Sequence, residues 1–465
     1  MSDVRQEDTA ALGDGKALGS GLKVRHLTMM GLGSAIGAGL FLGTGVGIAT
    51  AGPAVLVSYV IAGAIVVCVM RMLGEMGAAV PASGSFSHYA RIGIGPWAGF
   101  VMGWLYWFML IMVLGAEITG ASRIVGEWLP DVPQWVIALV FVVFFAVINL
   151  AKVSNFGEFE FWFAAIKVAV IVAFLLVGIL LVFGLLPGTA PVGTTNLFGH
   201  GGFLPEGFAG VAAGLLVVAF AFGGIEIVTI AAAESEDPER SIATAVRSVV
   251  WRITLFYIGA VAIMVLVLPW DSPALTGPEG PFVAVLDQAH IPYVSGFMQL
   301  VVVVALLSAF NANIYGTSRM AFSLARRGDG PAIMTKLSAS GVPVNAVWLS
   351  VFFGFVSVLL NWWLPEALLG ILLNAVGASL LVIWIFIVVA HLRLRPRLER
   401  EGRLTLRMWL FPYLSYATLA MLGGVVVLML FDADARAQLI STAVLFAVIT
   451  VLSVVNRRWR ARRHD

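Results

Sequence analysis

Gly33-Ser34-Ala35-Ile36-Gly37-Ala38-Gly39 interrupts the first long apolar segment of the chain, where a membrane helix would be expected to continue. Glycine costs about 1 kcal/mol relative to alanine inside a helix, so the stretch is a place for the backbone to unwind. Unwinding frees backbone amides at the N-terminus of the helix that resumes. In a membrane such breaks are tolerated only where they line a cavity, and their amides suit an anionic group such as a carboxylate. The glycines admit a second reading, because Gly39, Gly43 and Gly47 recur every fourth residue and would let two helices approach closely.

The surroundings of the stretch are those of a membrane protein. Of the 465 residues, 60% are hydrophobic and only 12% charged, which is too apolar for a soluble globular chain. Runs long enough to cross about 30 Å of hydrocarbon fall near residues 27–50, 53–78, 97–127, 133–152, 158–185, 208–233, 246–269, 295–320, 343–362, 366–391, 407–430 and 437–456. The pattern predicts an all-α polytopic membrane protein with twelve transmembrane helices. Residues 1–21 are polar and read as a disordered tail, with the first helix as an uncleaved insertion signal. The single cysteine, Cys68, lies in an apolar run, so its expected role is packing and no disulfide-linked subunit is expected.

Charge separates the two ends of the spans. Arg71, Arg91, Lys152, Arg240, Arg247, the segments 319–336 and 393–407, and the basic tail 457–465 lie at the ends of even-numbered spans or in the loops after them. The alternate loops carry mainly acids, among them Glu127, Asp131, Glu206, Asp271 and Glu279. The excess of cations predicts a cytoplasmic side, and hence a cytoplasmic (inner) membrane protein with both termini in the cytoplasm.

A second interruption, Phe220-Ala221-Phe222-Gly223-Gly224-Ile225-Glu226, lies in the sixth span. Broken segments at corresponding positions of two halves point to an inverted-repeat transporter with a midplane site between them. The expected organisation is a five-plus-five inverted repeat with spans one and six broken. Repeat one would cover 22–185, an external loop 186–207, repeat two 208–391, and two extra helices 392–456. The pairing favours the unwound reading of the first stretch over helix packing.

Three ionisable residues stand out inside the apolar spans. Lys167 lies about ten residues into span five, or roughly 15 Å deep, farther than a lysine stem can snorkel. A charge at that depth should face the bundle, where it is suited to load and unload a proton. Glu226, beside the second interruption, could take a proton or attract a cation, or merely hold free amides of the restarted helix. Glu117, in the outer half of span three, is a weaker candidate because Arg123 or another helix could supply a structural partner. Glu75 and Arg71, four apart, read as an intrahelical pair. Glu158 and Glu160 read as acidic first-turn residues of span five, with Asn155 as the cap. The run from Glu234 to Arg240 reads as a polar loop in which Pro238 stops the helix. Ser308 and Asn311 could line a path, as could Asn313, Asn374 and Ser379, or merely bridge helices. Six scattered histidines show no metal-ligand spacing, and no phosphate-binding loop is present, so neither metal nor cofactor is expected. No catalytic cluster or nucleic-acid-binding pattern emerges.

Longer motifs add a resemblance. Residues 22–28 (LKVRHLT), 33–41 (GSAIGAGLF) and 51–54 (AGPA) resemble the opening of bacterial amino-acid permeases of the amino acid-polyamine-organocation superfamily. Residues 73–76 (LGEM), 81–86 (PASGSF), 157–162 (GEFEFW), 226–235 (EIVTIAAAES), and the segment from Ser318-Arg319-Met320 to Arg326-Arg327-Gly328-Asp329 are similar to its γ-aminobutyrate and aromatic amino-acid permeases. The resemblance spans about residues 22–460. It implies that amides of Ser34, Ala35, Ile36, Gly37, Ala38 and Gly39 receive a substrate carboxylate. Carbonyls of Phe220, Ala221 and Gly223 would receive the substrate's amino group, with Phe220 or Phe222 as a gate. It also implies that Lys167 stands where sodium-coupled relatives hold an ion, which favours protons. Residues 115–119 (GAEIT) look closer to aromatic or neutral amino-acid members, and the span-six run to the γ-aminobutyrate member.

The expected function is import of an amino acid with a proton by alternating access. The expected partners are an amino acid (γ-aminobutyrate, aromatic or neutral), a proton and the lipid bilayer, in a monomer or weak oligomer. An amino-acid exchanger, a sodium-coupled symporter and a non-transporting amino-acid receptor are the alternatives.

Overall fold

The computed structural model describes residue 29 and residues 36–82, 84–150, 153–199, 201–226, 229, 237–277, 279–431 and 433–464. Ser34 and Ala35 lie outside the described residues. Among those described, eight helices are long and apolar enough to cross a membrane, and three shorter apolar helices, Gln134–Leu150, Gly207–Ala221 and Tyr413–Met429, accompany them. The first long helical stretch, Gly39–Ala79, holds two spans, so the twelve expected segments are all present. Its corner is Gly52, whose φ of 63° is accessible to glycine, followed by Pro53 in a single tight turn. Span two then runs Val55–Ala79 and span three Pro96–Trp128, the latter opened by Pro96 at its first helical position.

Burial separates the centre of the bundle from its rim. In the apolar heart of span three 83% of residues are buried, against 17% in the last span, Ala435–Arg460. Span three packs along span eight, Val294–Arg326, and span ten, Leu368–Arg400. Among the short helices between spans, Ser85–Gly93 packs against spans three and ten, and Pro281–Asp287 packs against span eight. The second of these reaches span one. Phe282 meets Phe41 at 4.8 Å and Phe174 of span five, Val153–Val182, at 4.6 Å.

Both interruptions are visible where they are described. Ile36 and Gly37 are not helical, Ala38 begins the helix, and Gly39–Gly43 forms a wide turn before Thr44–Ala51. Span six leaves its helix at Ala221, and residues 222–226 are turns, with Gly224 at a φ of 89°. Pro238 corrects one expectation: it opens the next helix, Pro238–Trp251, behind the cap Asp237, whose side chain accepts the Arg240 N–H at 3.1 Å. The seventh span therefore begins earlier than hydropathy alone indicates, because its first turns are polar.

Candidate functional site

The two interruptions meet. A Cβ added at Gly39 would lie 2.6 Å from the Ala221 Cα and 3.1 Å from the Phe220 carbonyl oxygen, so the backbones of spans one and six touch at this level. That closeness explains why glycine is needed at position 39, and it makes helix packing and unwinding compatible rather than alternative. Beside the contact is a small cavity of about 10 Å³, lined by Gly39, Val113, Glu117, Phe220, Ala221, Gly223, Gly224 and Asn313.

Glu117 enters this site from span three. Its two carboxylate oxygens accept the Ala38 N–H at 3.0 and 3.1 Å. The amide belongs to the first turn of the resumed helix, where N–H groups have no partner within the helix and the helix dipole favours negative charge. Gly37 accommodates the carboxylate, because a Cβ there would collide with Glu117 Oε1 and would sit 2.9 Å from the Ala309 Cβ. Glu117 therefore joins span one and not Arg123.

The aromatic residues of span six divide. Phe220 packs at Gly39 and Gly43 and lines the cavity. Phe222 turns away, with ring centroids 6.1 Å from Tyr59 and 4.8 Å from Tyr257, and Tyr59 in turn shares a 2.9 Å hydrogen bond with Thr44. Glu226 ends the interruption and accepts the Trp384 indole N–H from span ten at 2.7 Å.

Lys167 faces the bundle interior, fully buried, with its Nζ 3.9 Å from Glu160 Oε1. Ser308 of span eight donates to both oxygens of Glu160 at 3.0 and 3.1 Å. This corrects the reading of Glu160 as a first-turn residue. Span five starts at Val153, so Glu160 is well inside it, and seven residues bring it round to the face of Lys167. The seven-residue spacing was the signal that could have found it. Asn311 accepts from the Asn149 amide of span four at 2.7 Å, so Ser308 and Asn311 both bridge helices in this arrangement.

Glu75 also departs from expectation. It does not pair within its helix: His391 Nε2 and Arg395 Nε of span ten lie 3.3 and 3.4 Å from its Oε1, and the Met408 N–H donates to its Oε2. Arg71 instead donates to the Arg407 carbonyl at 2.9 Å and stacks on Trp409 at 4.8 Å. A buried carboxylate needs several partners to offset its lost hydration, and span ten with Met408 supplies them where the half-buried Arg71 is engaged elsewhere.

Twelve apolar segments, two of them broken, with carboxylates and a lysine buried among them, define a polytopic membrane permease. The chain belongs to the amino acid permease family, whose sequence model matches residues 26–464. It is 59% identical over 443 residues to the aromatic amino acid transport protein AroP of Corynebacterium glutamicum, covering 95% of this chain and 96% of that one. It is 44% identical over 439 residues to the gamma-aminobutyric acid permease of Bacillus subtilis, with 94% and 93% covered. The aromatic amino acid transport protein AroP of Escherichia coli is 40% identical over 418 residues, with 90% and 91% covered. The chain is accordingly a multi-pass membrane protein of amino-acid transport, in a superfamily the sequence motifs had indicated.

Proposed function

We propose that the chain imports an aromatic amino acid across the cytoplasmic membrane together with a proton, by alternating access between two inverted repeats, residues 22–185 and 208–391. Both termini are cytoplasmic in this reading. The substrate carboxylate meets the amides of Ser34 to Gly39, and its ammonium group meets the carbonyls of Phe220, Ala221 and Gly223, with Phe220 as the gate. The observation that carries the reading is the contact between Glu117 and the Ala38 N–H. An ionised Glu117 occupies the donor that the substrate carboxylate needs. Once protonated, it is a poorer acceptor and releases the amide, so proton and substrate bind together. Lys167 and Glu226 are the other proton-exchanging groups, the first poised by Glu160 and the second by Trp384. The aromatic choice follows the relative at 59% identity, with γ-aminobutyrate as the competing substrate.

The test is uptake into liposomes of labelled phenylalanine, γ-aminobutyrate and alanine under an imposed inward proton gradient without sodium. Accumulation of phenylalanine above its equilibrium level supports the reading, and accumulation of γ-aminobutyrate alone replaces the substrate. Uptake that requires sodium or internal amino acid removes proton coupling and leaves a sodium symporter or an exchanger.

A further inference from the structure

Away from the substrate site, spans three and twelve and the turn after span eight enclose a groove of about 770 Å³. That volume falls within the roughly 300–1,000 Å³ typical of a cleft that holds one organic ligand. Phe100, Trp104 and Trp107 form one wall, and Leu445, Ile449 and Leu452 the other. The groove extends from Leu445 to Trp459 along the last span, about 21 Å at 1.5 Å per residue. This is close to half the roughly 40–45 Å of a bilayer with its headgroups, the depth of one leaflet.

The end of the groove at Asp329 is rich in cations. Arg91 Nη1 lies 3.1 Å from Asp329 Oδ2, Arg327 Nε 3.8 Å from the same oxygen, and Arg460 Nη1 3.8 Å from Oδ1. Three guanidinium groups therefore share one carboxylate, and Arg457 and Arg458 stand exposed on the same helix as Arg460. Burial, with Arg91 nearby, lowers the Arg327 guanidinium to about 10 against the upward pull of Asp329, so it remains cationic at neutral pH. Asn456 and Trp104 fix the geometry, donating to the Gly328 and Asp329 carbonyls at 3.2 and 2.8 Å.

We propose that this groove binds an anionic phospholipid, with an acyl chain between spans three and twelve and the phosphate against Arg460 and Arg91. Charge complementarity selects the occupant. A zwitterionic lipid leaves the excess of positive charge uncompensated, whereas a basic pocket between spans suits an anionic headgroup. A second copy of the chain is disfavoured, since a two-fold contact sets the same patch against itself and brings like charges together. The lipid ties the weakly packed last span to the turn that closes span eight.

The experiment is native mass spectrometry of the full chain in non-ionic detergent, titrated separately with phosphatidylglycerol and with phosphatidylcholine of the same acyl chains. One phosphatidylglycerol should be retained in preference to phosphatidylcholine. Arg460→Ala should weaken that retention about fivefold, as expected for one basic group at an anionic surface. Leu452→Trp should abolish retention of either lipid; Leu452 is 52% exposed, so the larger ring fills the groove without entering the core. Unchanged elution and melting of both variants report that they fold. Equal retention of the two lipids, retention indifferent to both variants, or a dimer that both variants dissolve would each overturn the proposal.

Discussion

Glu117 of span three holds the backbone N–H of Ala38 of span one with both carboxylate oxygens, at 3.0 and 3.1 Å. The broken helix thus carries a carboxylate of the protein's own where a substrate carboxylate is proposed to sit. Glu117→Gln keeps the shape and removes the charge. Binding measured by calorimetry should lose most of its pH dependence, and uphill accumulation in liposomes should fall about tenfold or more, within the usual range of coupling between two ligands. Exchange of internal for external substrate should persist. A variant that still concentrates substrate against its gradient would remove Glu117 from the coupling.

Gly39 and Gly43 lie on the same stretch and give a matched pair. Alanine at 39 would set its Cβ 2.6 Å from a backbone atom, which cannot swing aside, whereas at 43 the nearest atom is 3.5 Å away on the Phe220 ring. Gly39→Ala should cost about 1–3 kcal/mol of stability, as overpacking does, and eliminate uptake. Gly43→Ala should be tolerated. Thermal melts in detergent and liposome uptake read both, and equal behaviour of the two variants would argue against the close approach of spans one and six.

Lys167 and Glu160 are buried with each other. Removing one partner alone leaves an uncompensated charge and should destabilise by about 3–5 kcal/mol. Lys167→Met paired with Glu160→Met should recover most of that loss in a melt, yet remain inactive in proton-driven uptake. Restored uptake in the double variant would reduce the pair to a structural element.

Asp329 lies beyond the end of span eight. Burial pushes its carboxyl up from the ordinary value of 3.8, while Arg327, Arg91 and Arg460 pull it down without cancelling the rise. A carboxyl raised in the folded state contributes stability in acid that is lost as pH rises through the raised value. Relative to Asp329→Asn, which cannot ionise, the wild-type melting temperature should be most favourable in acid and fall back toward neutral pH. A constant difference across that range would contradict the raised value.

Much of this arrangement was legible in the sequence, for reasons that are physical. Hydropathy over about twenty residues marks a span because the bilayer fixes its length, and glycines beside a carboxylate mark a break because they are costly in a helix. The stretches that hold Gly39 and Phe220 are therefore paired by the sequence pattern alone. What escaped was partner choice. Sequence proximity pairs Glu75 with Arg71, whereas burial makes it depend on His391 and Arg395 more than three hundred residues away. Glu160 is obscured by the position of the helix start: with Val153 already helical, the same residue changes from an acidic first-turn residue to the partner of Lys167. Pro238 suits the end of a helix as well as its first turn, and here it begins one.

The cavity between the two broken spans measures about 10 Å³, at the lower limit of what one water molecule requires. A file of waters through that point would let protons run down their gradient with nothing carried in return. With Phe220 and Glu117 lining so small a space, there is no room for such a wire at this level, and the proton-coupled import proposed above would depend on that seal.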